Sequence, residues 1–187
     1  AIERIVALKC LRTKASKVER EQADNLMALQ SEEAKVIGQL NHPHITAVFD
    51  MGVSGSVSYI VMEYVQGETL KARLAPPRTD PASVPQILSI IVMVARALNY
   101  VHQRGILHGD IKPANLMVTP QGTPKIMDFG VARRSQANQP AAWSLAGVNH
   151  VWGTPGYVAP EQFVANAVDA RADVFSLGVV AYEWLAG

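Results

Sequence analysis

One stretch constrains this chain more than any other: His108-Gly109-Asp110-Ile111-Lys112-Pro113-Ala114-Asn115, followed thirteen residues later by Asp128-Phe129-Gly130. A proton acceptor, a cation and two hard oxygen donors stand at fixed separations on segments punctuated by Gly and Pro. Taken one at a time these residues are ordinary turn formers, because Asp and Asn side chains bond nearby backbone and Gly and Pro preset its dihedrals. Turn formation explains any one of them but not their joint spacing.

The rest of the chain predicts an α+β arrangement around that stretch. Ile5-Val6-Ala7-Leu8 reads as a strand, and Tyr59-Ile60-Val61-Met62 as a buried one. From about residue 18 to 40, Leu26, Leu29, Glu33, Ile37 and Leu40 recur at spacings of three or four and share one helix face. The proline-rich residues 73–85 predict a surface loop or a boundary between structural units. Ile87, Leu88, Ile91, Val94, Ala95, Leu98 and Val101 mark an amphipathic helix that Gly105 stops. Two short strands follow, at 116–118 and 125–127. Residues 135–156, rich in small polar residues, predict a mobile functional loop. A last helix over 173–185 is apolar nearly all round and is expected to be buried. Strands come first and helices dominate later, so a small sheet-bearing part precedes a mainly helical one.

Composition narrows the function classes. The 187 residues are 49% hydrophobic and 18% charged, enough apolar material for a sizeable core. The balance of 17 basic against 16 acidic residues gives no reason to expect nucleic acid or an anionic membrane as a partner. Cys10 is alone, which excludes an internal disulfide framework and fits a reducing, cytoplasmic setting. The longest apolar stretch, 87–95, is interrupted by Ser89 and too short to span a bilayer, so no membrane contact is expected of this segment. The chain begins at Ala1 and stops at Gly187 after an apolar helical run, and both ends read as excision points of a longer protein, in which a membrane anchor can lie elsewhere.

Phosphoryl transfer asks a protein for little covalent chemistry: an acceptor for the attacking hydroxyl, cations to neutralise charge, and oxygen ligands for Mg²⁺. Asp110 can accept the proton, Lys112 can steady the moving group, and Asn115 and Asp128 offer the ligand type Mg²⁺ prefers. The block resembles the catalytic loop and metal-binding motif of protein kinases, in the bacterial serine/threonine style, and further motifs follow the family's order. Val6-Ala7-Leu8-Lys9 resembles the strand whose lysine holds the ATP phosphates, with Glu33 rather than Glu32 as its implied partner. Met62-Glu63-Tyr64-Val65 resembles the hinge between two lobes. By that resemblance Met62 is the gatekeeper, main-chain groups of Glu63 and Val65 bond the adenine edge, and Ala7 and Met117 sandwich the ring. Glu68 is either a ribose or substrate contact or merely solvated. Gly153 to Glu161 resembles the end of an activation segment, where Thr154 would bond Asp110 and Lys112. Asp173 would anchor the catalytic-loop backbone; without the resemblance it reads as a helix N-cap.

The resemblance implies a two-lobed fold, residues 1–66 forming an incomplete small lobe and 67–187 part of the large one. It implies ATP and Mg²⁺ as cofactors and protein Ser or Thr hydroxyls as substrates. Three departures stand out. No glycine-rich loop precedes Lys9, and the family's later helices are missing, so the 187 residues alone are expected to bind ATP poorly. Gly109 stands where an arginine usually follows the histidine, and the usual phosphosite falls on His150. That predicts weak dependence on activation-loop phosphorylation, with Ser135 and Ser144 dispensable. The His-Gly-Asp form also resembles aminoglycoside and choline phosphotransferases, which lack Asp128-Phe129-Gly130 and the Thr154 to Glu161 segment. A pseudokinase scaffold is the non-enzyme alternative, although Lys9, Asp110, Asn115 and Asp128 are all present.

Overall fold

Alternation dictates the first strand. Along β1 (Val6–Arg12), Ala7 and Lys9 are half-buried while Val6, Leu8 and Cys10 face outward, the two-residue period of a strand covered on one side. The computed structural model describes residues 4–12, 38–55, 57–76, 82–129, 133–134, 153–164 and 168–186. With β2 (Val48–Ser54) and β3 (Val57–Glu63), β1 forms an antiparallel sheet in the order β1-β3-β2. The register sets Ala7 opposite Met62 and Lys9 opposite Ile60. Residues 59–62, expected to be buried, are half-buried, since among the described residues no helix packs extensively against this sheet. The helix expected over 18–40 falls, up to residue 37, outside the described residues, and Glu33 with it.

A second antiparallel sheet, ordered β4-β6-β7, consists of β4 (Glu68–Thr69), β6 (Leu116–Val118) and β7 (Pro124–Ile126). Gly67 leads into it, where a Cβ would lie 2.5 Å from the Val118 carbonyl oxygen, so only glycine lets the two backbones approach this closely. The expected strand at 125–127 lies one residue earlier, at Pro124–Ile126. The Met127 N–H carries its register one step further by donating to the Asn115 carbonyl at 2.9 Å, where the 3₁₀ turn that ends at Asn115 closes the partner strand. Just ahead of β2, Ile45 bridges to Ile126 in parallel. The Thr46 N–H donates to the Ile126 carbonyl at 3.0 Å, and the Ile126 N–H to that of His44 at 2.8 Å.

Helices supply most of the core. Thr69 caps α1 (Leu70–Leu74) by accepting the Ala72 N–H, so Arg73 and Leu74 end a helix rather than begin a loop. Pro85, also expected in that loop, lies in the first turn of α2 (Val84–His102), where its missing N–H costs nothing. By length and composition α2 could cross a membrane. Here Ile87, Ile90, Val94, Ala97, Leu98 and Val101 form its buried face, packed against α4 (Ala170–Ala186). Leu88 and Ala95, expected inside, lie outside, because the true 3.6-residue stripe runs through Ile90 and Ala97 instead. Gly105 ends the helix, its N–H bonded to the His102 carbonyl at 2.9 Å, and β5 (Ile106–Leu107) then pairs with β8 (Arg133–Arg134). A short α3 (Glu161–Val164) precedes α4. The final helix is not buried all round: Asp173, Leu177, Val180 and Trp184 point inward while Val174 and Tyr182 remain 60% and 74% exposed. Its start at Ala170 places Asp173 in the first turn, not at the cap.

Candidate active site

The catalytic-loop segment is held from below by two buried polar residues. The fully buried His108 receives the Asp110 N–H on Nδ1 at 3.2 Å, so the ring proton is on Nε2, which donates to the Met127 carbonyl at 2.9 Å. Its ring meets Phe129 edge-on at 4.7 Å. Burial pushes the imidazole pKa below 6.5 and outweighs the neighbouring carboxylates, which keeps the ring neutral. Asp173, 1% exposed, accepts the N–H groups of His108 and Gly109 at 2.8 Å each and His102 Nε2 at 2.7 Å. Burial alone would raise its carboxyl pKa, but these donors, His102 first, hold it below the usual carboxylate range. Gly109 has φ +76, a left-handed backbone in which a side chain at this position would be strained.

Above this support the carboxylate of Asp110 gathers three donors. Lys112 Nζ lies 2.6 Å from Oδ2, Asn115 Nδ2 donates to the same oxygen at 3.0 Å, and Thr154 Oγ1 donates to Oδ1 at 2.9 Å. Lys112 also donates to Thr154 Oγ1 at 2.6 Å, closing the ring of contacts. Asn115 sits at the end of a 3₁₀ turn, Pro113–Asn115, and its Nδ2 bonds the Asp110 carbonyl at 2.8 Å as well. Both its amide protons are thereby used on Asp110, which leaves Oδ1 as the face available to a cation.

Lys9 and Asp128 meet across 119 residues, Nζ to Oδ1 at 2.7 Å. Asp128 has φ +58, a conformation Asp tolerates better than most residues. Both side chains are over a third exposed, so solvent screens the pair and its contribution to stability is ~0–1 kcal/mol. Ala7 and Met62 are paired neighbours in the first sheet, while Met117 belongs to the second, opposite Thr69 and Lys125. Val65 is buried just past β3. The Glu63 N–H donates to the Ala47 carbonyl at 2.9 Å. Glu68 is exposed and lies 3.8 Å from Arg73 Nε. An amide oxygen and a carboxylate fit a hard cation that shares the phosphates of its nucleotide; among the described residues no group of three His, Cys, Asp or Glu side chains could hold a metal by itself. Gly130, Ser135, Ser144 and His150 lie outside the described residues.

Two participants escaped the sequence reading. His102 closes the helix α2 onto Asp173, and Lys125 binds the Glu63 carboxylate at 2.7 Å. Each lies at an ordinary position, a helix end and a strand middle, and only its distant partner reveals it.

This geometry, an antiparallel-sheet part bearing a lysine and a helical part bearing an Asp-Lys-Asn cluster, is that of a kinase-like fold. The chain belongs to the protein kinase family, whose protein kinase domain it matches over residues 1–187. It is 37% identical over 186 residues, the whole of this chain, to a probable serine/threonine-protein kinase of Clostridium perfringens. It is 44% identical over 160 residues, 83% of the chain, to the serine/threonine-protein kinase PknB of Mycobacterium leprae. In each case the match covers 25% of the relative, so the chain spans about a quarter of the length of these curated proteins.

Proposed function

We propose that this chain is the catalytic segment of a bacterial-type serine/threonine protein kinase that moves the γ-phosphoryl group of MgATP to a Ser or Thr hydroxyl of a protein. The observation that carries the proposal is the Asp110 carboxylate fixed by Lys112, Asn115 and Thr154. Three donors leave the carboxylate one orientation from which to accept the proton of an incoming hydroxyl, and Thr154 belongs to the segment on which a peptide would rest. Lys112 steadies the group in flight. Asn115 and Asp128 would hold Mg²⁺, which supplies charge neutralisation between the phosphates. Lys9, with Glu33 as its proposed second partner, takes the α- and β-phosphates. Ala7 and Met117 enclose the adenine ring, Met62 limits the pocket behind it, and the Glu63 carbonyl and Val65 N–H read its edge. The lobe boundary falls near residue 66, where the strand-rich first part gives way to helices. The relatives' names support serine/threonine specificity, and the catalytic segment would work in the cytoplasm.

The test uses the full-length protein with labelled ATP, a panel of Ser/Thr protein substrates and an aminoglycoside panel. Phosphate on protein Ser or Thr is expected, and Asp110→Asn should lower the rate by ~10²–10⁴-fold, the usual worth of a positioned base. Transfer confined to small molecules, or full activity in Asp110→Asn, would overturn the proposal.

A further inference from the structure

The Glu63 carboxylate joins three pieces of chain that are remote in sequence. Lys125 Nζ approaches Oε1 at 2.7 Å and donates to Oε2 at 2.9 Å, and the Ala47 N–H donates to Oε2 at 3.2 Å. The Glu63 N–H returns to the Ala47 carbonyl at 2.9 Å, so main chain and side chain both fix β3 to the residue before β2. Lys125 is the middle residue of β7, whose end is pinned twice more: Ile126 pairs with His44 and Thr46, and Met127 bonds Asn115. Two residues beyond Ile126 stands Asp128.

The side chains of this pair are 16% and 29% exposed, which sets them apart from the open Lys9–Asp128 contact. Met117 is the register partner of Lys125, and directly opposed residues put their side chains on the same face of a sheet. The lysine therefore stands beside the residue assigned to the underside of the adenine ring and reaches up to the one whose carbonyl meets the ring's edge. Neither Lys125 nor the Glu63 carboxylate has a part in the transfer chemistry itself.

The geometry points to Lys125 as a positioning residue of the nucleotide site: through Glu63 it sets the distance between the adenine-facing end of β3 and the strand that delivers Asp128. This inference rests on the kinase reading above. Without the pair, the adenine and phosphate subsites can drift relative to each other, and misplacement on the ångström scale is enough to weaken joint recognition of base and phosphates.

The test is a steady-state comparison of the full-length wild type with Lys125→Met, which keeps the aliphatic stem, Glu63→Gln, which keeps an acceptor for Ala47, and the double variant. Each single variant is expected to raise KM for ATP by about 3- to 10-fold with kcat per active site and KM for the protein substrate little changed. The double variant should be no worse than the poorer single one, since both remove the same contact. The Kd for ADP by calorimetry should follow KM and reads the effect without turnover. A merely structural role would lower the melting temperature and the active fraction while leaving KM for ATP and Kd for ADP alone, and that result, or effects that multiply in the double variant, would overturn the inference. Wild-type protein that binds ADP but phosphorylates no protein would refute the kinase reading instead, and the ADP affinities would still decide the role of Lys125.

Discussion

Lys112 Nζ lies 2.6 Å from Thr154 Oγ1 across 42 residues of sequence, and both side chains reach the carboxylate of Asp110. The contact ties the segment expected to carry a substrate peptide to the group expected to accept its proton. Removing the hydroxyl should therefore disturb catalysis more than folding. Thr154→Val, nearly the same shape, is expected to lower kcat by about 10- to 100-fold with ATP affinity unchanged, and Thr154→Ser should restore most of the rate. Equal activity in Thr154→Val and wild type would show that the hydroxyl is a bystander.

Asp128 separates conformation from chemistry. Its φ of +58 suits Asn as well as Asp, and its exposed pairing with Lys9 contributes only ~0–1 kcal/mol. Asp128→Asn should melt within a few degrees of wild type yet lose phosphoryl transfer and Mg²⁺-dependent nucleotide binding. Retained Mg²⁺ dependence in this variant would remove Asp128 from the metal site.

Asp173 carries a different burden. Its buried carboxylate accepts three hydrogen bonds, two of them from the backbone that presents Asp110. Asp173→Asn places an amide donor against some of these N–H groups, and hydrogen bonds to a charged acceptor contribute about 1.5–3 kcal/mol each. A stability loss of about 2–4 kcal/mol in denaturant unfolding is expected, together with a lowered kcat. Undiminished stability would mean that the loop is held by other contacts.

Acid should weaken the fold through His108. Burial keeps its folded-state pKa below 6.5, while the unfolded chain takes up the proton near that value. Below it the unfolded state binds more protons than the folded one, so stability falls as pH drops through about 6.5 and this group contributes no slope well above it. Unfolding free energies from about pH 8 to about pH 5.5, with the His108 ring followed by NMR, check the sign. A ring that charges at or above 6.5 in the folded protein would contradict it.

Gly67 tests the approach of β4 to its neighbour. A Cβ there would stand 2.5 Å from the Val118 carbonyl oxygen, and backbone cannot yield as a side-chain tip does. Gly67→Ala should cost about 1–3 kcal/mol, read as a lower melting temperature. Gly52→Ala meets only the Tyr59 side chain and should cost less.

The sequence by itself determined the local chemistry of this protein. The order and spacing of His108 to Asn115 and of Asp128-Phe129, the strand around Lys9 and the helix before Gly105 were all legible, because turns, strands and caps depend on residues a few positions apart. Tertiary structure decided what faces what. It turned Ile90 and Ala97 inward in place of Leu88 and Ala95, left half of the last helix exposed, and brought His102 to Asp173 and Lys125 to Glu63. Such pairings depend on how whole elements cross in space, and a lysine in a strand or a histidine at a helix end carries no local sign of the carboxylate it will meet.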